Sequence, residues 1–346
     1  MPAKQRPVRW LMALGLAGAA GSVGVGAGVK PATPAAAPPA SAATFRNPVI
    51  SSDFADPDII RVGRTYYAYS TNVGGSDVPV YTSGDLTHWK ALGDALPVLP
   101  PWASGGNTWA PGVLAVSGGY RLYFTARHTA SGRQCIGVAA SKTPQGPFVS
   151  ASPTPLVCQL DEGGSIDAQG FTDADGKQYL YWKSDGNCCN LLTGLWVQPL
   201  SQDGLKLTGK PRDLLYNGAL WEGNLIEAPT VYRHAGKYYL FYSAAAWDSD
   251  TYAVGYAVGA SPLGPFKKAA TNPLLFSGGE VAGPGGQGVI ADGRGNTWMY
   301  YHAWTAGQIG YTTGGVRSLR LDPMSWKSGA PSVRVTTRSQ PAPARP

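Results

Sequence analysis

The stretch IEAPTVYRHAGKYYLFYSA, residues 226–244, places an acidic residue before an apolar, aromatic segment, a glycine turn and a second aromatic segment. β-Branched and aromatic residues on both sides of a glycine turn predict two antiparallel strands joined as a hairpin. The same arrangement occurs in FADPDIIRVGRTYYAYST from Phe54 and in SIDAQGFTDADGKQYLYWKSD from Ser165. Weaker copies from Thr108 and Gly285 keep the turn and the second strand but lack the leading acid. The hairpin is therefore an internal repeat.

The copies recur at regular intervals along the chain. With Asp56, Ala110, Asp167, Glu227 and Gln287 as equivalent positions, the separations are 54, 57, 60 and 60 residues. Small antiparallel sheets repeated at such a period are typical of propeller blades, which bury their faces by packing against neighbouring blades. No segment has the pattern of a long amphipathic helix. The sequence predicts an all-β, five-bladed β-propeller with about four antiparallel strands per blade.

The amino terminus has the composition of an export signal. Basic residues precede an apolar run from Trp10 and then an Ala/Pro-rich stretch, the order found in secretory signals, with cleavage expected near residue 42 or 43. A single membrane anchor is the alternative, because the apolar run approaches the length of a membrane span. We expect a signal peptide and leader over 1–43, the five-bladed propeller over 44–330 and a C-terminal tail over 331–346. The mature protein is expected to be secreted, extracellular, monomeric and free of the membrane.

The positive charge of the chain is concentrated in the predicted leader. The net charge is +7, and Lys4, Arg6, Arg9 and Lys30 account for four of these charges, which leaves +3 for the mature chain. No basic run lies beside stacking aromatic residues, so a nucleic-acid partner is not predicted.

The four cysteines are expected to pair in an exported protein. Cys135 and Cys158 could be joined across the outer half of the second repeat, whereas the adjacent Cys188 and Cys189 either form a vicinal disulfide or remain thiols. The sequence leaves all three pairings open.

Three repeats carry an acid at the leading position, namely Asp56, Asp167 and Glu227. The first strand of each propeller blade lines the central axis, so these carboxylates are expected to converge on one axial pocket. Glycoside hydrolysis needs one protonated carboxyl group to donate to the leaving oxygen and one carboxylate to activate water. A third acid can raise the pKa of the donor by like-charge repulsion. The alternative is that these acids only cap strand ends.

An ordered set of motifs resembles glycoside hydrolase family 43. The set comprises NPVISSDFADPDIIRVGRTYYAYST, WAPGV, SIDAQGFTDADGKQYLYW, IEAPTVYRHAGKYYLFYS and YHAW, and it spans Asn47 to about Trp326. The resemblance implies a five-bladed propeller with an inverting mechanism that acts on arabinose- or xylose-containing polysaccharides.

The resemblance also implies a role for each acid. By motif position, Asp56 in ADPDI is the general base, Glu227 in IEAPT is the general acid, and Asp167 in SIDAQ modulates the pKa of that acid. Asp58 lies two residues beyond Asp56 on the same face of a strand and is the rival for the base role.

Four further residues are candidate substrate contacts: Trp109, Gln287, His302 and Arg317. Trp109 could form an aromatic wall for a sugar ring or simply pack between blades. Arg317 resembles an arginine that many family members direct at the bound sugar, with a surface charge as the alternative. His302 could reach the pocket from the fifth blade or be a core histidine.

The segment GPGGQG departs from the family pattern. Many relatives have a histidine after GPG that helps to bind a calcium ion on the propeller axis, whereas this chain has Gly286 there and Gln287 next. The sequence therefore predicts no metal ligands and no required cofactor, and it puts a structural calcium in question. Gln287 could instead offer its amide to the substrate or to a water-filled axis. The formal GxGxxG match over 283–288 precedes a strand rather than a helix, which excludes dinucleotide binding.

Within the family, DGNCC, LWEGNLIEAPT and YAVGYAV resemble exo-arabinanases of the actinobacterial type. The resemblance implies release of terminal α-L-arabinofuranosyl units from plant cell-wall arabinan, arabinoxylan or their oligosaccharides. Endo-arabinanase and β-xylosidase are alternatives within the family. A non-catalytic carbohydrate-binding propeller and a protein-binding repeat protein are alternatives from other classes, although neither needs three acids in one repeat position.

Overall fold

Five antiparallel sheets form the blades of a β-propeller in the computed structural model, which describes residues 43–150 and 152–346. The predicted signal peptide and leader lie almost entirely outside these residues. No helix in the part of the chain that is described has the length and apolarity to cross a membrane. The predicted all-β, five-bladed architecture is confirmed.

The strands are numbered in chain order from β1 (Thr44–Phe45), which precedes the first blade. Blade 1 contains β2 (Asp58–Val62), β3 (Thr65–Tyr69), β4 (Pro79–Ser83) and β5 (Lys90–Asp94). Blade 2 contains β6 (Ala103–Val116), β7 (Gly119–His128) and β8 (Gln134–Ser141). Blade 3 contains β9 (Ser165–Thr172), β10 (Gln178–Ser184), β11 (Gly194–Pro199) and β12 (Arg212–Tyr216).

Blade 4 contains β13 (Ile226–His234), β14 (Lys237–Ala244), β15 (Ala253–Gly259) and β16 (Phe266–Lys268). Blade 5 contains β17 (Val281–Ala291), β18 (Thr297–Thr305) and β19 (Ser318–Pro323). Three short strands follow, β20 (Ser325–Lys327), β21 (Ala330–Ser332) and β22 (Gln340–Pro341). Short 3₁₀ helices cover Leu160–Glu162, Gly186–Cys189, Leu220–Glu222 and Tyr311–Thr313.

The repeated glycine lies in the tight turn between the first two strands of a blade. Gly63 joins β2 to β3 with a φ of 59°, and Gly236 joins β13 to β14 with a φ of 78°. Glycine adopts this left-handed backbone without the steric cost that other residues incur. The conformation of the turn, rather than lack of space, explains the glycine in these repeats, because no atom lies within 4 Å of a Cβ added at either position.

The second, aromatic strand of each repeat packs against both neighbouring blades. In β7, Leu122 and Phe124 join a cluster with residues of blade 1, while Tyr123 between them joins a cluster with residues of blade 3. Side chains alternate between the two faces of a strand, so every second residue faces the same neighbour. Full burial of each such side chain contributes about 1.5–3 kcal/mol. One cluster of this kind lies between each pair of adjacent blades.

The two ends of the described chain close the ring. The backbone of Val49 and Ile50 exchanges hydrogen bonds of 2.9–3.4 Å with Leu319 in β19, and β1 pairs with β22. Near the C-terminus, the Ala344 amide donates to Asp292 Oδ2 at 3.0 Å. Residues 331–346, expected as a C-terminal tail, lie in the same compact unit as the blades.

Both cysteine pairs left open by the sequence are disulfides in this structure. Cys135 in β8 is bonded to Cys158, and Cys188 is bonded to Cys189 at the end of a 3₁₀ helix.

Candidate active site

In each blade a residue with a left-handed backbone lies just before the inner strand or within it, and β6 and β17 each contain a second one, Gly106 and Gly283. The φ angles are 48° at Asp56, 42° at Ala110, 59° at Asp167, 52° at Ala228 and 57° at Gly286. In four blades the pairing of the inner strand shifts at this point, which is the signature of a β-bulge. Bulges change the direction of nearby side chains and are common beside active sites. The bulges therefore aim inner-strand side chains toward the end of the axis.

The bulges correct the repeat alignment derived from the sequence. Asp56 and Asp167 occupy the left-handed position itself, but Glu227 lies one residue before Ala228 and Gln287 lies one residue after Gly286. The sequence alignment matched acids to acids. Residue type does not show which of these aspartates and alanines has a positive φ, so the alignment could not detect the offset. The three acids thus approach the pocket from two different backbone positions.

A cavity of about 550 Å³ collects the three predicted acids. Asp56, Asp167 and Glu227 all line it, together with the predicted residues Trp109 and Arg317. The acids come from blades 1, 3 and 4, so the closure of the ring brings them together. A volume of this size is typical of sites for small ligands.

Asp56 is surrounded by groups that stabilise its ionised form. Thr71 Oγ1 donates to Oδ2 at 2.6 Å, and Arg317 Nη1 lies 3.3 Å from Oδ1. Burial acts to raise the pKa of Asp56, but the Arg317 charge and the Thr71 hydrogen bond hold that pKa below its usual range. Asp56 is therefore a carboxylate at neutral pH and can accept a proton.

Glu227 is fixed by two buried partners. Lys183 Nζ donates to Oε2 at 3.0 Å, and the Tyr252 hydroxyl donates to Oε1 at 2.7 Å. The Lys183 side chain is 1% exposed and also donates to Asn187 Oδ1 at 2.7 Å. Burial acts to lower the pKa of Lys183, but the charges of Glu227 and Asp167 keep it raised, so the lysine is a cation.

Asp167 holds a proton more tightly than an ordinary aspartate. Its Oδ2 accepts a hydrogen bond of 2.9 Å from the Ala228 amide, which brings it beside Glu227. Burial and the negative charge of Glu227 raise the pKa of Asp167 well above its usual range, although the Lys183 cation opposes the shift. The site therefore contains one carboxyl group with a lowered pKa and another with a raised pKa, a separation typical of acid–base catalysis.

Asp58, the rival of Asp56, does not line this cavity. Its Oδ2 accepts a 2.7 Å hydrogen bond from the Val113 amide, and its Oδ1 accepts bonds of 3.1 Å from Gln169 and Tyr300. Asp58 is 4% exposed and faces a narrow cavity on the axis. It links blade 1 to blades 2, 3 and 5, which is a structural position.

Gln287 and His302, predicted as substrate contacts, do not line this cavity, whereas Gln287 lines the narrow cavity on the axis. The Gln287 amide accepts from Ser243 Oγ at 2.7 Å and donates to the Ala228 carbonyl at 2.9 Å. His302 is 0% exposed, and its Nδ1 accepts a 3.0 Å bond from the Asp56 amide. Burial lowers the pKa of His302 to about 3, so the imidazole is neutral. Both polar groups of the Gln287 amide are bonded to the protein, whereas His302 Nε2 is buried without a hydrogen-bond partner in the described structure.

The residues on the axis do not fit the calcium site that the family resemblance implied. Gly286 offers no side-chain ligand, and a Cβ there would lie 2.6 Å from His302 Nδ1. The oxygens of Gln287 and Asp58 accept hydrogen bonds from protein donors. A histidine at position 286 would displace His302, so no step below involves a metal.

The rim beside Asp56 contains aromatic residues that sequence reasoning missed. The Arg317 guanidinium lies 4.7 Å from the centre of the Trp247 ring, and its Nε donates to the Tyr311 hydroxyl at 3.1 Å. Trp247 and Tyr311 are 37% and 46% exposed and line the cavity. Both lie outside the strands, where no repeat position marks them. Lys183 had a visible signal, because it is a single cation in the apolar strand YLYWKSD.

The comparisons with known proteins agree with this geometry. The model of the family described as Glycosyl hydrolases family 43 matches residues 45–331. A β-D-galactofuranosidase, xynD, of Aspergillus niger is 28% identical over 275 residues, covering 74% of this chain and 75% of the relative. The extracellular endo-α-(1→5)-L-arabinanase 1 of Bacillus subtilis is 26% identical over 298 residues, covering 80% of this chain and 86% of the relative. A crystal structure of a thermostable family-43 glycoside hydrolase superposes with a TM-score of 0.78 at 32% identity, covering 87% of this chain and 99% of that one. Because the family model spans most of the chain, this protein belongs to glycosyl hydrolases family 43 and is a glycoside hydrolase.

Proposed function

We propose that this protein is a secreted, inverting α-L-arabinofuranosidase that removes terminal arabinofuranosyl units from arabinan or arabino-oligosaccharides. The observation that carries the proposal is the convergence of Asp56, Asp167 and Glu227 on one cavity in unlike electrostatic surroundings. A protein that only binds sugars does not need one ionised acid and one protonated acid in the same cavity.

In this mechanism Asp56 is the general base. Its pKa is held low by Arg317 and Thr71, so it accepts a proton from water as the water attacks the anomeric carbon. His302 accepts the hydrogen bond of the Asp56 amide and thereby fixes the backbone from which the carboxylate projects.

Glu227 is the general acid: the Asp167–Glu227 pair retains one proton, and Glu227 delivers that proton to the glycosidic oxygen of the leaving group. Tyr252 and Lys183 fix both of its oxygens, so the carboxyl group is oriented before the substrate binds. Asp167 is the second acid of the pair that retains this proton, and the shared proton limits the negative charge in the cluster. Trp109 and Arg317 bound the cavity and are proposed to contact the terminal sugar.

Endo attack is the second candidate, because the Bacillus subtilis relative is named as an endo-arabinanase. The exo assignment is supported by the resemblance of DGNCC and LWEGNLIEAPT to exo-acting enzymes. Chromatography of the products from linear α-1,5-arabino-oligosaccharides separates the two modes. We expect arabinose alone, as the chain shortens one unit at a time. Mixed oligomers would contradict exo action, and release from xylosides alone would contradict the arabinose specificity.

The order of residue types over 1–43 supports export, and we propose that the mature chain acts as a monomer. Fusion of these residues to a reporter enzyme tests export, and light scattering of the purified chain tests the oligomeric state. A reporter retained inside the cell, or a dimer mass, would contradict the respective proposal.

A further inference from the structure

The disulfide between Cys188 and Cys189 lies at the mouth of the cavity that contains the three acids. Cys188 is exposed and lines that cavity together with Asp167 and Glu227. The 3₁₀ helix Gly186–Cys189 begins two residues after β10 ends at Ser184, so the disulfide is held close to a strand of the pocket. A bonded pair of sulfurs has no charge and no thiol proton, and it presents a polarisable apolar surface. An apolar surface at the mouth of a polar pocket is suited to contact with an apolar part of the ligand.

The helix that carries the disulfide is connected to the acid side of the pocket. Asn187, next to Cys188, accepts a 2.7 Å hydrogen bond from Lys183, and the same ammonium group donates to Glu227 at 3.0 Å. Arg317 and Thr71, by contrast, surround Asp56. In an inverting hydrolase the acid and the base act on opposite faces of the scissile bond, and the leaving group departs on the side of the acid. The disulfide therefore lies toward the leaving group.

A cation, Arg133, also contacts the disulfide. Arg133 Nη1 lies 3.2 Å from Cys188 Sγ and 2.8 Å from Cys189 Sγ. Arg133 is exposed, so its remaining N–H groups are free to reach hydroxyl groups at the rim. The combination of an apolar face and adjacent donors suits a furanose ring, which has an apolar edge of C–H groups and hydroxyls around it.

We propose that the Cys188–Cys189 disulfide is the apolar platform on which the leaving sugar ring packs, and that it makes the enzyme prefer glycosides with a sugar leaving group. This inference rests on the proposed arabinofuranosidase function. It predicts that the disulfide affects substrates according to what occupies the leaving-group position.

The test compares arabinobiose with methyl α-L-arabinofuranoside, whose leaving group is only methanol. In Cys188→Ser/Cys189→Ser the ratio of kcat/KM for arabinobiose to kcat/KM for the methyl glycoside should fall about fivefold, the loss expected for about 40 Å² of apolar contact. Cys188→Ala/Cys189→Ala also lacks the disulfide bond but keeps apolar methyl groups, so its ratio should fall less.

The matched control is Leu192→Ser, which removes an exposed apolar side chain near the helix but outside the cavity lining. Its ratio should match that of the unmodified protein.

Each other outcome is decisive. An equal fall in kcat/KM for both substrates would mean that the disulfide only stabilises the helix. Unchanged kcat/KM values in Cys188→Ser/Cys189→Ser would mean that no sugar packs on the disulfide. Either result would overturn the proposed platform but not the proposed hydrolase function. If the unmodified protein cleaves neither glycoside, the proposed function fails and the platform fails with it.

Discussion

At the scale of single residues, the three acids differ because of their immediate neighbours. Asp56 lies beside the Arg317 guanidinium, whereas Asp167 is buried next to the carboxylate of Glu227. The sequence identified all three acids, because each stands at the start of a repeated hairpin. It could not identify Lys183 as the partner of Glu227, because an ion pair between blades depends on how adjacent strands are oriented.

The raised pKa of Asp167 predicts a particular pH dependence of stability. The folded protein retains a proton at Asp167 over a pH range in which the unfolded chain, with an ordinary carboxyl pKa of about 4, has lost it. The stabilisation is therefore complete at low pH and is lost as the pH rises through the folded-state pKa. Between pH 5 and pH 8, the unfolding free energy of the wild type should fall by roughly 2–4 kcal/mol more than that of Asp167→Asn.

Urea titrations at several pH values measure this difference. The control is Asp161→Asn, which replaces an exposed acid and should follow the wild type. Parallel curves for the wild type and Asp167→Asn would show that Asp167 does not retain the proton.

At the scale of elements, the inner strand is bulged in four of the five blades. The sequence predicted the hairpins correctly, since alternating apolar residues and a glycine turn are visible in the residues themselves. It did not predict the bulges, because Ala110, Asp167 and Ala228 adopt a positive φ with ordinary side chains. The sequence therefore did not show that the Gln287 amide bonds to Ser243 and to the Ala228 carbonyl.

The bulges predict an unusual response to glycine. Ala110 has a φ of 42°, where alanine is strained and glycine is not, so Ala110→Gly should increase the unfolding free energy by about 0.5–1 kcal/mol. Ala115 is an exposed residue of the same strand, β6, without a positive φ, and Ala115→Gly should decrease stability by a similar amount. Thermal and urea unfolding measure both changes. Destabilisation of equal size at the two positions would contradict a strained bulge at Ala110.

At the scale of the whole molecule, the pocket exists because the ring closes. Asp56, Asp167 and Glu227 are more than fifty residues apart in sequence, and blades 1, 3 and 4 bring them to one cavity. The period of the repeats made this convergence predictable. The rim residues Trp247 and Tyr311 were not predictable, because their place depends on loops between strands that follow no repeat.

The central claim is that these acids catalyse glycoside hydrolysis, and Glu227→Ala tests it most directly. We predict that kcat for arabinobiose falls by about 10²- to 10⁴-fold, as expected for loss of a general acid, while calorimetry still detects sugar binding, because Trp109 and Arg317 still line the cavity. A Glu227→Ala variant that turns over arabinobiose as fast as the wild type would contradict the account.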